Sequence, residues 1–294
     1  MVANARAISA LATRAGRADL AKEFTAKADA LHRLMLAKLW DDEAKFFKVL
    51  RASGEFSSAR EAIGYVPWMF NLPDARHAAA WTQLSDPAGF QAPFGLTTAE
   101  RRHPQFRTHG TGKCEWDGPV WPFATSQTLL ALANFLRASS SLAPTGGAET
   151  AATRLPTRSD YFSAFLTYTR SHRFKGQPYI GEYLDEVTGA WLKGNHDRSR
   201  HYNHSLYADL VITGLVGLRP RPDDTVEIHP LLPEGTWDWF ALDGLPYHGR
   251  TLTIHWDKAG ARYGKGAGLR VFADGKLLAE TNRLTRVTAT LPAK

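Results

Sequence analysis

The sequence predicts a mainly α protein that ends in a small antiparallel β-sandwich, with the helices forming part of an α/α barrel. Two observations carry this. Apolar residues recur at helical spacing over the first two thirds of the chain, and after Pro220 the period drops to two. A third fixes the arrangement of helices. About seven helical segments are separated by long loops rich in aromatics and glycine, as in a barrel of helical hairpins. No 34- or 40-residue repeat appears, which disfavours a solenoid.

The elements follow in order. Ala5, Ile8 and Ala12 share one face of a first helix, which Gly16 closes. Asp19 opens a second, with Leu20, Phe24, Ala28, Leu31 and Met35 on one side. It runs to about Trp40 and stops at Asp41-Asp42-Glu43. Two short helices fit residues 58–71 and 74–84, parted by Pro73. Residues 86–118 read as an irregular stretch. A strong helix fits 119–136, with Pro119 in its first turn. Residues 139–156, rich in Ser, Thr, Ala and Gly, read as a mobile loop. Further helices fit 159–172 and 204–215. Strands fit 226–228, 237–242, 251–256 and 269–272, and Asp274-Gly275 reads as a type I′ turn into a strand at 276–279. The expected division is a helical domain over 1–219 and a β module over 220–294.

Composition narrows the function. With 44% hydrophobic and 22% charged residues, disordered and fibrous classes fall away. No run of 18 apolar residues exists to span a membrane. Residues 1–22 lack the charged and apolar blocks of a secretory leader, so no signal peptide is expected on this chain; the compartment stays open. Cys114 is the single cysteine, which rules out an internal disulfide framework. The net charge of +7 comes from scattered lysines and arginines, with no basic block interleaved with aromatics. It reads as solubility and weak anion attraction, and no nucleic-acid partner is expected.

Two segments carry chemistry. Cys114-Glu115-Trp116-Asp117-Gly118-Pro119-Val120-Trp121-Pro122 places two tryptophans and two acids in nine residues before a helix. Sugar rings need flat apolar faces to stack on and carboxylates to accept their hydroxyl protons. A buried aromatic turn with Asp117 capping the helix fits the same residues. The second segment runs from Tyr179 to Trp191, with Glu182, Asp185 and Glu186 inside five residues beside aromatics. Loops on a helical scaffold often hold catalytic groups; a solvated acidic loop with a Thr-Gly turn is the other reading.

Together these segments resemble a known pattern. Trp116-Asp117-Gly118-Pro119-Val120-Trp121-Pro122 is similar to the Trp-Arg-Gly-Pro-(Val/Ile)-Trp motif of six-hairpin (α/α)6 glycoside hydrolases. The nearest are the mannosylglycerate-hydrolase-like enzymes and glycoside hydrolase family 63, relatives of the trehalases. Their Glu-x-Tyr-x-x-x-Thr-Gly context is matched by Glu182, Thr188 and Gly189, with the tyrosine one place early at Tyr183. Leu39-Trp40-Asp41, Gly95-Leu96-Thr97-Thr98 and Tyr202-Asn203-His204-Ser205 also resemble the family, as does the terminal β module.

The resemblance implies inverting hydrolysis of a glycosidic bond, with Glu182 as general base and Trp116, Asp117 and Trp121 near the sugar. Tyr183, Trp191 and His204, beside the motifs, and Glu100, through its loop, complete the expected substrate contacts. For Glu100 a surface loop salt-bridged by its arginines fits equally well. Asp117 replaces the family's arginine, so the substrate is expected to differ. The resemblance also implies a general acid upstream of the first helix. A full barrel takes about twelve helices, so both arguments place part of the barrel, with the acid, outside this chain. Asp117, Glu100 and Asp197 are fallback acids.

No cofactor is expected. His196, His201 and His204 lack the converging set a metal needs. Ser205 has no Gly-x-Ser-x-Gly elbow, and the glycines at 264–268 open no helix. The expected partner is an oligosaccharide or glycoside, with self-association through uncovered helix faces. Two alternatives stay open: a non-catalytic carbohydrate-binding fragment or pseudo-enzyme, and a phosphorylase.

Overall fold

The computed structural model describes residues 1–109, 115–139, 154–193, 196–199, 202 and 206–292. The chain opens with a helical hairpin, α1 (Val2–Arg14) and α2 (Ala18–Leu39). The two helices pack on each other, yet α2 fully buries only Ala28 along its length. Only its C-terminal end, through Met35, Leu36 and Leu39, touches the main helical core. Ile8, Leu11 and Leu34 are exposed.

Strands β1 (Trp40–Asp41) and β2 (Phe46–Phe47) form a tight antiparallel pair. The two short helices expected at 58–71 and 74–84 are tighter than α-helices. The first is a 3-10 turn, Ala62–Tyr65, running into a single α turn, α3 (Val66–Met69). The second, Ala75–Gln83, is wholly 3-10, opened by an Asp74–His77 capping box. Between them they bury Tyr65, Trp68, Ala80 and Trp81, so aromatic packing rather than helix propensity sets their shape. The stretch expected to be irregular contains a small hairpin, β3 (Gln91–Ala92) and β4 (Gly95–Leu96).

Helix α4 (Pro122–Ser139) starts at Pro122, not at Pro119. The reason is Val120, whose backbone pairs with Leu184 and is held extended. Helix α4 is buried on nearly all sides, which its run of Leu, Ala and Phe allows. Helix α5 (Arg158–Ser171) is capped by Thr157 and Asp160. The loop expected around 139–156 lies mostly outside the described residues. A short hairpin follows, β5 (Arg173–Phe174) and β6 (Gln177–Pro178), and a 3-10 turn covers Asp197–Ser199. The last helix is a single α turn, α6 (Tyr207–Asp209), continuing into a π turn at Leu210–Val216. Gly217 ends it in the left-handed region, where a Cβ would lie 2.2 Å from the backbone of His229.

The C-terminal part is antiparallel. Strands β7 (Leu218–Arg219), β8 (Thr225–Ile228) and β13 (Val287–Thr290) form one sheet, in the order β13-β8-β7. Strands β9 (Trp239–Tyr247), β10 (Arg250–Asp257), β11 (Gly268–Ala273) and β12 (Lys276–Thr281) form the other. Val226, Ile228, Leu252, Ile254, Leu269 and Val271 pool into one core between them. Asp274 and Gly275 both have positive φ, as a type I′ turn requires. Strand β7 pairs antiparallel with β8 through Leu218–Ile228 and Arg219–Glu227. The helical core is separate and aromatic, centred on Phe46, Tyr65, Trp68, Trp81, Leu129, Leu132 and Tyr161.

Candidate active site

The two chemistry-bearing segments are stitched together by backbone. Val120 and Leu184 exchange hydrogen bonds of 3.0 and 2.9 Å, and Leu184 bridges on to Trp191. This brings Trp116, Trp121 and Tyr183 into one ladder of stacked rings. Trp116 and Trp121 lie 4.1 Å apart at 22°, and Trp121 and Tyr183 lie 4.8 Å apart at 17°. Each stacked pair contributes about 0.5–1.5 kcal/mol beyond burial. Trp121 is covered on both faces, and its indole N–H donates to the Glu115 carbonyl at 2.6 Å. Its two ring faces are thus taken up by Trp116 and Tyr183. Tyr183, also buried, donates its hydroxyl to Glu115 Oε1 at 3.2 Å. Trp116 alone of the three is open, at 41% exposure, and it borders a cavity of about 420 Å³.

Glu182 sits next to this ladder in sequence and is 5% exposed. Its Oε2 accepts from Ser199 Oγ at 3.2 Å and from Lys193 Nζ at 3.4 Å. The same ammonium lies 5.0 Å from the Tyr183 ring centre. Among the described residues Oε1 has no hydrogen-bond partner. The carboxylate is thus oriented through one oxygen.

Arg107, absent from the sequence reading, organises the rest. Its Nη1 reaches Asp185 Oδ2 at 2.6 Å and Glu186 Oε2 at 2.7 Å, and its Nη2 lies 3.7 Å from Glu115 Oε2. Burial would raise the Asp185 carboxyl, but the Arg107 hydrogen bond and the Thr188 and Val187 amides bring it down to about 2. Gly118 makes room for this cation: a Cβ there would lie 2.4 Å from Arg107 Cγ. The partners are 78 and 79 residues apart, so no local spacing announces them. The acidic run itself was the available signal, since three clustered carboxylates call for a nearby cation.

The remaining candidates disperse. Asp117 neither caps α4 nor joins the ladder. Its Oδ2 accepts from the His109 amide at 3.1 Å and lies 2.7 Å from His109 Nδ1, while Oδ1 is buried without a partner among the described residues. Burial raises its carboxyl, and the His109 contacts more than offset this, holding it below the usual value. Glu100 is buried and locked by Arg60, which donates to it through its amide and Nη1, both at 2.8 Å; Arg102 stands 3.5 Å away. These arginine contacts match the salt-bridged reading of the Glu100 loop. Trp191 is buried against Tyr179, Val120 and Leu184 and donates to the Arg173 carbonyl at 2.8 Å. It braces the Glu182 loop. Asp197 is exposed in its 3-10 turn. His204 lies outside the described residues, as do Cys114, His201, Asn203 and Ser205. No helix is long and apolar enough to cross a membrane, among the described residues.

Comparison with known proteins adds family context. The model of the mannosylglycerate hydrolase MGH1-like glycoside hydrolase domain matches residues 1–205. That of the glycosyl hydrolase family 65 C-terminal domain matches residues 218–279. A solved chain described as a sialidase is 50% identical and superposes with a TM-score of 0.90 over 97% of this chain. This chain spans 25% of that chain's length. The GH78 family rhamnosidase of Bacillus sp. GL1 shares the fold, with a TM-score of 0.56 and 17% identity over 92% of this chain and 24% of its own. The GH63 mannosylglycerate hydrolase from Thermus thermophilus, solved with glucose, is 20% identical over 64% of this chain and 40% of its own, with a TM-score of 0.44.

Proposed function

The chain belongs to the mannosylglycerate hydrolase MGH1-like glycoside hydrolase domain family, and from that premise we propose that it serves in inverting hydrolysis of a glycosidic bond, with Glu182 as general base. Oε1 of Glu182 takes a proton from water as the water attacks the anomeric carbon. A second carboxyl, roughly 6.5–9.5 Å away, protonates the leaving oxygen. That acid belongs to the upstream part of the barrel, as the family resemblance implies. The single observation carrying the reading is that Glu182 is buried and held through Oε2 alone, beside an aromatic ladder. The proposed architecture is part of an (α/α)6 barrel over residues 1–219 and a β-sandwich over 220–294. The substrate class is an oligosaccharide or small glycoside, in line with the family that the helical part matches.

The test is sugar release and product anomer. Full-length protein, carrying the upstream part of the barrel, is incubated with α-glucosides, α-mannosides, α-rhamnosides and trehalose, and the first-formed anomer is read by NMR. Release with inversion is expected, and Glu182→Gln should lower the rate by about 10²–10⁴. Retention of configuration, or a fully active Glu182→Gln, would refute the assignment.

One observation favours a second reading, a carbohydrate-binding chain without turnover. Arg60 holds Glu100, Arg107 holds Asp185 and Glu186, and His109 holds Asp117. Binding of the same sugars without release would select it.

A further inference from the structure

Beside the ladder lies a carboxylate that the reading above does not use. Glu61 lines the 420 Å³ cavity together with Trp116, Phe123, Ile63, Val49 and Gln127. Pockets of about 300–1,000 Å³ are the usual size for small ligands. Glu61 is half-buried, and among the described residues its carboxylate has no hydrogen-bond or ion-pair partner. Burial pushes its carboxyl up, with Arg51 and His103 opposing from a distance. A half-buried carboxylate among apolar walls is only partly hydrated, and a ligand's hydroxyl donors would complete its hydrogen bonding.

Both principal groups are fixed in advance. The Glu61 backbone bridges to Ala99, and the next amide, of Ala62, donates to the Thr98 carbonyl at 2.8 Å. Trp116 is stacked on Trp121 and meets Phe123 edge-on at 6.4 Å and 90°. One stacked aromatic face and one acceptor pair carried on a fixed backbone match a pyranose. Its C–H face is apolar, and its adjacent hydroxyls donate as a pair. Phe123, Ile63 and Val49 expose apolar surface around the opening.

We infer that this cavity is a sugar subsite in which a pyranose ring lies on Trp116 and donates neighbouring hydroxyls to Glu61. The inference rests on the glycosidase reading for its ligand class, and it assigns Glu61 to binding, not to proton transfer. Hydrogen bonds to a charged acceptor are worth about 1.5–3 kcal/mol, which is roughly 10- to 100-fold in affinity.

The experiment is calorimetric titration of the whole chain with methyl α-D-glucopyranoside, methyl α-D-mannopyranoside and methyl α-L-rhamnopyranoside. Binding is measured apart from turnover, so either claim can fail alone. Saturable binding of at least one sugar is expected. Glu61→Ala and Trp116→Ala should each weaken it about tenfold or more, and Glu61→Gln by less than Glu61→Ala. Circular dichroism checks that each variant is folded; if the alanine variant is not, the glutamine variant decides. The assignment is overturned if wild type binds none of the three sugars. It is overturned also if the Glu61 variants bind within twofold of wild type, or if they abolish turnover at unchanged affinity. If the sugars bind through Glu61 but the full-length protein cleaves no bond, the subsite stands and the hydrolase reading falls.

Discussion

Arg107 Nη1 lies 2.6 Å from Asp185 Oδ2, across 78 residues of sequence. This contact locks the loop that follows Glu182 to the segment that precedes Trp116. The same nitrogen serves Glu186 at 2.7 Å. This guanidinium adds a side-chain tie to the Val120–Leu184 backbone pair that already joins the Glu182 loop to the aromatic ladder.

Arg107→Ala would leave Glu186 and Glu115 buried without this cation. Stability should fall by about 3–5 kcal/mol, the usual cost of breaking a buried pair from one side. Chemical denaturation measures it. A loss below about 1 kcal/mol would mean that solvent already screens the cluster.

The Asp185 carboxyl sits at about 2, against 3.8 when unperturbed. A depressed value stabilises the fold at every pH above the unperturbed one, and the gain disappears as pH falls from about 4 to 2. The contribution is about 1–2 kcal/mol once solvent screening is allowed for. Unfolding curves between pH 6 and pH 2 should show the decline, and Asp185→Asn should flatten it.

Trp121 and Trp116 should separate stability from recognition. Trp121→Ala removes the middle of the ladder and should cost about 3–5 kcal/mol. Trp116→Ala trims a half-open ring and should shift the melting midpoint far less. Equal shifts in thermal melts would contradict the division.

The α1–α2 hairpin exposes Leu11 at 66%, Leu34 at 54% and Ile8 at 37%. Apolar surface of this kind drives association. The isolated chain should self-associate at micromolar concentration, and Leu11→Glu with Leu34→Glu should shift it toward monomer. Light scattering after size-exclusion chromatography reads the masses.

Much of the fold was legible because it rests on local pattern. The apolar stripe of α2 ends where Asp41-Asp42 begin, and Asp274-Gly275 turns β11 into β12. What was hidden rests on contacts distant in sequence. Pro119 looked like a helix start because nothing near it reveals that Val120 pairs with Leu184. Strand β13 is a short run of Val, Thr and Ala whose partner, β8, lies some sixty residues upstream. At the site, the motif residues were legible but not their orientation. Trp121 and Trp191 differ from Trp116 only in which neighbours cover them. Glu61 belonged to no motif, and only the cavity singles it out.

Arg137 has the last consequence. From α4 it donates to the Gly214 carbonyl at 3.2 Å, to Thr213, and to the His229 carbonyl at 3.1 Å, beyond β8. Burial and nearby arginines, Arg137 foremost, push the His229 imidazole down to about 4, so it stays uncharged beside the guanidinium. A chimera that grafts a foreign β module onto these helices must supply a carbonyl at that spot, or strand a cation in the seam. The two halves are therefore not interchangeable parts, and recombination between relatives should succeed only where the crossover keeps this acceptor.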